Sequence, residues 1–277
     1  MKQMPSTNAA TRFRALHERD GILVMPNPWD IGTAKLLAHL GFEAIATASA
    51  ALAAASGRRD GQVGRNVSMS HARLIVAASS LPVNGDLENG YGHASEDVAE
   101  TIRQAIDAGL AGCSIEDFTG DKKNPLYERG PAVERIRAAR AAIPAGSDFV
   151  LTARCEAYLT GHAAPLKECI ERLGEMAEAG ADVVYACGMA KAEDIEALVK
   201  AVPRPVNVIG GSGPAPLTVK ALADLGVKRV SLGPRLFQAA MAGFLAAAKE
   251  LKEGGSFDFL KGAPSTGSIY DIFDGVN

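Results

Sequence analysis

Two carboxylates lie one residue apart at the end of an apolar run, in the segment PVNGDLENGYG (82–92). Side chains at positions i and i+2 of an extended chain share a face, so Asp86 and Glu88 should repel each other there. The repulsion is tolerable if both groups are solvated, if they cap a helix, or if a cation lies between them. The residues around them decide among these three alternatives.

Polar side chains also end the apolar runs that follow. The next two runs end at Glu116 and Arg154. Oxygen-rich sites suit the hard cations Mg²⁺ and Mn²⁺, which keep several waters and use few carboxylates. Arg154 could donate two parallel hydrogen bonds to a substrate carboxylate, and a structural ion pair with Glu156 is the alternative. The pattern favours a cation site formed by Asp86, Glu88 and Glu116.

These residues need a scaffold that brings the ends of several strands together. Short apolar, β-branched runs alternate with segments of helical spacing along the chain. The runs are ILVMP (22–26), EAIATAS (43–49), PVNGDLE (82–88), GCSIED (112–117), DFVLTAR (148–154), DVVYAC (182–187), RPVNVIG (204–210) and KRVSLG (228–233). Such runs are typical of parallel strands that are buried on both faces. Eight of them predict a (βα)8 barrel, with the active site at the carboxyl ends of the strands, and a doubly wound open sheet is the alternative.

The helical segments carry their own boundary signals. The segments 95–109 and 165–180 both close on glycine, as helix ends often do. Ser95, followed by Asp97, is predicted to be the N-cap of a helix with an acidic first turn.

No linker or low-complexity tract divides the chain, so we predict one domain over residues 1–277. The barrel core is expected over about 22–245 and a helical tail over about 246–277. The tail carries Phe257 and Phe259, which are too apolar for a free end, so we expect it to pack on a second subunit.

The composition restricts the class of protein. Charged residues make up 22% and hydrophobic residues 47% of the chain, as in globular proteins. The net charge of −3 gives no electrostatic case for binding nucleic acid or anionic membranes. The four cysteines occur singly, as in reduced cytosolic proteins, and no apolar run reaches about 18 residues. We expect a soluble, cytoplasmic protein.

Several other chemistries lack their residues. Lys228 lies before its strand rather than after it, so no lysine is placed for Schiff-base chemistry. Neither a GxSxG elbow nor a GxxxxGK[ST] loop occurs. The glycine-rich segment 210–213 after the seventh run could be a simple turn or a phosphate-binding loop. The chemistry that is still compatible with these residues uses a metal ion and an arginine to act on an anionic substrate.

Several of these segments together resemble the isocitrate lyase/phosphoenolpyruvate mutase superfamily. The matching runs are PNPWD (26–30), SAALAAASGRRDG (49–61), DLENGYG (86–92), AGCSIED (111–117), ARCEAYLTG (153–161), EAGAD (178–182) and GVKRVSLG (226–233). The resemblance implies a (βα)8 barrel that binds Mg²⁺ and a small anionic α-oxo acid. It also implies a homotetramer, a dimer of dimers, whose subunits exchange C-terminal helices.

The resemblance assigns metal-site roles to four acids. Asp86, Glu88 and Glu116 match the metal-site acids, with Asp86 as the direct ligand and Glu88 acting through water. Asp60 matches a further acid near the metal and is predicted to be catalytic.

The resemblance also assigns substrate contacts. Ser49 and the backbone amide of Ala50 match the groups that receive the carboxylate and carbonyl oxygens of the substrate. Asp86 borders the same place, and Arg154 matches the substrate-binding arginine with a catalytic role.

The loop FTGDKKNPLYERG (118–130) bears on the branch of the superfamily. Lyases carry a Lys-Lys-Cys-Gly-His loop here, whereas this chain has neither Cys nor His in it. The loop resembles the gate of phosphoenolpyruvate mutases, carboxyphosphonoenolpyruvate phosphonomutases and phosphonopyruvate hydrolases, in which Lys122 and Asn124 match residues that act on the substrate. Two departures count against mutase chemistry: Cys187 closes the sixth run where that branch has His, and Pro125 follows the asparagine.

The sequence therefore predicts an Mg²⁺-dependent lyase or decarboxylase. It would cleave the C–C bond next to the 2-oxo or 2-hydroxy carboxylate of a small dicarboxylic acid, through a metal-stabilised enolate. A C–P enzyme (a phosphonomutase or a phosphonopyruvate hydrolase) is one alternative. A protein that binds oxo acids without turnover is the other.

Overall fold

Eight parallel strands form the centre of the molecule. The computed structural model describes residues 7–275, so residues 1–6 and 276–277 of the predicted domain lie outside the described part. The strands are β1 (Leu23–Met25), β2 (Ile45–Ala46), β3 (Val83–Asp86), β4 (Gly112–Glu116), β5 (Val150–Cys155), β6 (Val183–Ala186), β7 (Val206–Ile209) and β8 (Arg229–Ser231). They pair in the order β1-β8-β7-β6-β5-β4-β3-β2. Each strand coincides with one of the predicted apolar runs, although β5 extends one residue beyond its run, and the (βα)8 prediction is confirmed.

Hydrogen bonds between β1 and β2 bring the two ends of the sheet together. The amide of Ala46 donates to the carbonyl of Pro26 at 3.0 Å. The side chain of Asn27 donates to the carbonyl of Thr47 at 2.8 Å and accepts the two amides of residues 232–233, each at 2.9 Å. Asn27 thus ties the ends of β8, β1 and β2, which excludes the open-sheet alternative.

Helices surround the strands. In the described part they are α1 (Thr7–Glu18), α2 (Ile31–His39), α3 (Ser49–Ala55), α4 (Arg65–Ala78), α5 (Ser95–Asp107), α6 (Arg129–Ala142), α7 (Pro165–Glu178), α8 (Ala192–Ala201), α9 (Val219–Asp224), α10 (Arg235–Gly254) and α11 (Thr266–Phe273), with a 3₁₀ turn at Asp258–Leu260. The prediction of Ser95 as an N-cap was wrong, because the N-cap of α5 is Ala94. Its amide donates to the Asp97 carboxylate at 3.2 Å, so the acidic first turn does the capping.

The main core lies between the strands and the helices. Ile102 of α5 and Leu173 of α7 are fully buried with Ile115 of β4 and Leu151 of β5 in one cluster. Burying a side chain of this size contributes about 1.5–3 kcal/mol, so such a layer can hold the strand ends in fixed positions.

An apolar layer around Phe13 and a layer of polar residues fill the barrel interior. Phe13 of α1 packs against the starts of several strands and is 0% exposed. Next to this layer, the guanidinium of Arg229 donates to the Asn207 side chain at 2.8 Å and to Thr152 at 2.9 Å. Its third partner is the ring of His17, at 3.1 Å. The interior is therefore a packed, hydrogen-bonded floor beneath the carboxyl ends of the strands.

The C-terminal helices carry much exposed apolar surface. No residue of α10 is buried, and Phe244 and Leu245 are 63% and 64% exposed. Beyond α10, Phe257 is 63% and Leu260 58% exposed. The last helix, α11, packs on α2 through Phe273. Exchange of this tail between subunits stays a prediction.

None of the helices in residues 7–275 is long and apolar enough to cross a membrane.

Candidate active site

Two adjoining cavities open where the strands end. The first, of about 410 Å³, is lined by side chains from most of the strands, including Asp86, Tyr185 and Arg235. The second, of about 670 Å³, lies toward β3 and β4 and includes Glu88 and Glu116 in its lining. Ser49, Asp60, Arg154 and Leu159 line both cavities. The structure therefore brings together Ser49, Ala50, Asp60, Asp86, Glu88, Glu116 and Arg154, which the sequence predicted as site residues.

Asp86 is held in place by β2 and by the start of α3. Its amide donates to the hydroxyl of Thr47 at 2.9 Å. One carboxylate oxygen accepts both the amide and the hydroxyl of Ser49, each at 3.0 Å. The neighbouring amide of Ala50, in the first turn of α3, has no acceptor within residues 7–275. A ligand oxygen in the first cavity could therefore accept from Ala50 without displacing Asp86.

Arg154, at the end of β5, lies among three carboxylates. Its Nη1 atom lies 3.4 Å from Asp86 and 3.3 Å from Glu116, and its Nε atom donates to Glu156. The guanidinium also lies 5.3 Å from the ring centre of Tyr185. Its Nη2 atom has no protein acceptor in the described part of the chain. The predicted ion pair with Glu156 and a free donor for substrate are thus both present.

The backbone conformation of Glu88 differs from the extended one predicted from the sequence. Strand β3 ends at Asp86, and Glu88 has a left-handed backbone with φ of 49°. A non-glycine residue rarely adopts this conformation. The backbone carbonyl of Glu88 accepts the amide of Glu116 at 2.9 Å, which fixes the turn against β4. The prediction that Asp86 and Glu88 share one face of an extended strand was wrong, although both carboxylates still border the site.

Three acids of the site have raised pKa values. Burial and the nearby Asp86 and Asp60 raise the pKa of Glu88 to about 8. Burial also raises the pKa of Glu116 well above its usual value, against the opposing effect of Arg154. The pKa of Asp60 is raised by removal from water and by Asp86. Carboxyl groups with raised pKa values in a cavity are typical of functional sites.

The donor set fits a hard cation. The Oε1 atom of Glu88 is buried without a hydrogen-bond partner. Within residues 7–275, no three His, Cys, Asp or Glu side chains are grouped closely enough to hold an ion by themselves. The Nη1 atom of Arg154 bridges Asp86 and Glu116, so these two carboxylates already share one cation. An ion that uses one or two carboxylates and several waters, as Mg²⁺ does, suits this arrangement.

The loop after β4 is an ordered hairpin, joined by a bridge between Phe118 and Leu126. Phe118 and Thr119 line the second cavity. Lys122 and Asn124, however, are exposed at the far end of the hairpin and line neither cavity. The Asn124 amide donates to Asp121 at 3.2 Å. Their catalytic roles stay predictions that require the hairpin to move.

Several residues that line the first cavity were not predicted from the sequence. Asn27 follows β1, Asn207 lies on β7, and Arg235 begins α10 directly after β8. The residues predicted for the site follow strands two to seven only. The same strand-end signal is present after the first and last strands, at Asn27 and Arg235, whereas an asparagine within a strand gives no such signal.

Comparison with known proteins agrees with this geometry. A chloroplastic carboxyvinyl-carboxyphosphonate phosphorylmutase of Arabidopsis thaliana is 32% identical over 91% of this chain and 77% of its own. A crystal structure of a provisionally assigned lyase/mutase from Burkholderia cenocepacia J2315 has a TM-score of 0.95 at 47% identity, covering 98% of this chain and 97% of that one.

A structure of oxaloacetate acetylhydrolase in complex with its product oxalate has a TM-score of 0.86 at 27% identity, covering 96% of this chain and 94% of that one. The family model described as phosphoenolpyruvate phosphomutase matches residues 13–252. The chain therefore belongs to the phosphoenolpyruvate phosphomutase family, within the isocitrate lyase/phosphoenolpyruvate mutase superfamily.

Proposed function

We propose that this protein is an Mg²⁺-dependent enzyme that cleaves the C–C bond next to the 2-oxo carboxylate of a small dicarboxylic acid. One observation carries the proposal: two adjoining cavities, which share Ser49, Asp60 and Arg154, join a cluster of carboxylates to the unpaired hydrogen-bond donors of Ala50 and Arg154. The carboxylates suit a cation, and the donors suit the oxygens of an oxo acid. The relative that binds oxalate while acting on oxaloacetate supports this substrate class.

Three acids would hold the cation. Asp86 would be the direct ligand, and Glu88 and Glu116 would act through bound water. When bound, Mg²⁺ supplies positive charge that favours the enolate developing at C2 as the bond at C3 breaks. Asp86 is suited to this role because Ser49 and Thr47 fix its position before any ligand enters.

The chain's own donors would orient the substrate. The amide of Ala50 and the Nη2 atom of Arg154 would each donate to a substrate oxygen. The contacts of Arg154 to Asp86, Glu116 and Glu156 hold its guanidinium in one orientation. Donors held in place before the reaction cost little reorganisation when charge develops, which is why such arrangements accelerate bond cleavage.

For oxaloacetate, the C3–C4 bond would break with loss of CO₂. Its electron pair would form the enolate of pyruvate, and protonation at C3 would complete the reaction. The hairpin that begins at Phe118 would close over the second cavity and control the access of water.

A C–P enzyme is the second candidate. Lys122 and Asn124 lie on a hairpin that borders the second cavity, as the phosphonomutase branch of the superfamily requires. The phosphorylmutase relative supports it too. Phosphonopyruvate would then give phosphoenolpyruvate, or pyruvate and phosphate.

The test follows product formation by ¹H and ³¹P NMR with Mg²⁺. Oxaloacetate, phosphonopyruvate and 2,3-dimethylmalate are tested separately, each beside an enzyme-free sample and Asp86→Asn, because oxaloacetate also decays unaided. Pyruvate formed from oxaloacetate well above both controls supports C–C cleavage. Turnover of phosphonopyruvate alone supports the second candidate, an enzyme that acts on a C–P bond. Tight oxalate binding without turnover of any of the three compounds supports the alternative of a protein that binds oxo acids without catalysis.

A further inference from the structure

The first cavity has an uneven distribution of charge. Its acids, Asp60 and Asp86, lie on the side of β2 and β3. The opposite side, formed by β7, β8 and the start of α10, contributes Arg229 and Arg235. One half of the cavity therefore suits a cation, and the other half suits an anion.

Arg235 has no acidic partner. No carboxylate within residues 7–275 lies within 4.0 Å of its guanidinium nitrogens, and its hydrogen bonds go to neutral oxygens. Nη2 donates to the hydroxyl of Ser212 at 3.2 Å, Nε to the carbonyl of Gly211 at 3.3 Å, and Nη1 to the carbonyl of Leu232 at 3.4 Å. A charge-assisted bond to an anion would be shorter and stronger than these. Arg154, in contrast, already faces three carboxylates.

The loop after β7 orients the guanidinium toward the cavity. Gly211 has a φ of 76°, and a Cβ atom there would lie 2.9 Å from the Nε atom of Arg235. The glycine therefore lets the side chain lie directly against the loop. Ser212 donates its hydroxyl to the carbonyl of Ile209 at 2.9 Å and lines the cavity with Gly213. Arg235 is thus positioned by the backbone and one hydroxyl.

Arg229 adds positive charge at the floor of the same half. It is 1% exposed, and its partners Asn207, Thr152 and His17 are all neutral. A buried guanidinium without a carboxylate creates a positive potential that extends into the adjoining cavity. An anionic group bound near β7 and β8 would gain from both arginines.

We propose that Arg235, supported by Ser212, binds a second anionic group of the substrate, so that the site selects oxo acids that carry a carboxylate, phosphonate or sulfonate beyond C3. The inference rests on the proposed function, because it assumes that the 2-oxo carboxylate occupies the acidic half with Mg²⁺. It assigns Arg235 as the residue that determines specificity, whereas Arg154 would orient the 2-oxo carboxylate.

The experiment compares two ligands of similar shape. Sulfopyruvate carries a sulfonate on C3, and 4,4-dimethyl-2-oxopentanoate carries a neutral tert-butyl group there. Affinities for both, and for oxalate, are measured by calorimetry with Mg²⁺ at fixed ionic strength. The variants are Arg235→Gln, Arg235→Lys and the control Arg204→Gln, whose exposed arginine lies before β7 at the other end of the barrel.

We expect Arg235→Gln to weaken sulfopyruvate binding about 10–100-fold, which is the effect of losing one or two charge-assisted contacts. Arg235→Lys should lose less affinity for sulfopyruvate, because lysine keeps the positive charge. The neutral ligand and oxalate should change less than about three-fold, and the control should match the wild type. Thermal unfolding verifies that each variant is folded.

An unchanged sulfopyruvate-to-neutral affinity ratio in Arg235→Gln overturns the inference while leaving the proposed function intact. An equal loss for all three ligands, or an equal loss in Arg204→Gln, overturns it as well. If the wild type does not bind oxalate with Mg²⁺, the proposed function fails, and the inference fails with it.

Discussion

The buried pair of Arg229 and His17 makes the barrel floor sensitive to acid. Burial, and then the neighbouring guanidinium, lower the pKa of His17 to about 3. Its ring bonds the carbonyl of Phe13 at 2.7 Å and receives Arg229 at 3.1 Å. The folded protein therefore keeps His17 neutral at a pH where the unfolded chain is protonated.

We expect His17→Gln to reduce the acid sensitivity of folding. The unfolded histidine titrates near 6.5 and the folded one near 3. Stability is therefore complete above pH 6.5 and falls as the pH drops toward 3, because the unfolded state binds the extra proton. Between pH 7 and 4.5, protonation of this histidine in the unfolded state should lower the free energy of unfolding of the wild type by about 2–3 kcal/mol. The variant should not show this loss.

Urea unfolding at the two pH values measures this difference. The exposed His39→Gln is the matched control and should lose as much stability as the wild type. If His17→Gln loses the same amount between pH 7 and 4.5 as the wild type, the barrel floor does not govern the response to acid.

At the level of elements, the strands were predictable because their burial leaves a strong signal. A parallel strand covered on both faces is rich in apolar, β-branched residues, and all eight runs contain such residues. Local turns were less predictable. The N-cap of α5 is Ala94, whose side chain cannot accept a hydrogen bond. Glu88 takes a left-handed conformation because it is fixed against β4, a contact distant in sequence.

The hairpin after β4 has two neighbouring lysines that allow a matched comparison. If the hairpin closes over substrate, Lys122→Ala should lower kcat about ten-fold or more, because its charge would reach the reacting groups only in the closed state. Lys123→Ala, exposed on the same hairpin, should leave kcat nearly unchanged. Oxalate affinity should hardly change in either variant. Equal kcat values for the two variants would remove Lys122 from the mechanism.

The tail should bury its apolar surface in an assembly of subunits. We expect the wild type to be a tetramer, and Phe257→Asp with Leu260→Asp to shift it to smaller species, because buried charge at an interface is costly. Light scattering coupled to size exclusion measures the mass. Leu40→Asp is the control, because Leu40 is the C-cap of α2 and is 70% exposed. A monomeric wild type contradicts the prediction.

At the scale of the whole molecule, the barrel places opposite charges across one cavity. The acidic half could be predicted because Asp86, Glu88 and Glu116 follow successive strands. The basic half was predictable only in part, because Arg235 follows β8 but reaches the cavity through the position of α10 against the loop after β7. That packing depends on glycines whose effect no local pattern reveals. The sequence therefore predicts which residues follow the strands, but not how the side chains opposite the acids are oriented.

The same charge distribution predicts how ligands affect global stability. Without a cation, the burial of Asp60, Glu88 and Glu116, together with the nearby charge of Asp86, raises the pKa values of these three acids and opposes folding at neutral pH. Mg²⁺ and oxalate bind the folded state only, and at 100 times their Kd they should add about 2.7 kcal/mol. For a chain of this size, that corresponds to an increase in Tm of about 5–10 °C.

Asp86→Asn should show little of this increase, because it removes the direct ligand and one of the repelling charges. For the same reason, its Tm without Mg²⁺ should equal or exceed that of the wild type. Scanning calorimetry with Mg²⁺ and oxalate, with EDTA, and with NaCl of equal ionic strength separates specific binding from screening. An equal increase in wild type and Asp86→Asn, or an equal increase with NaCl, would show that the cation does not bind at Asp86.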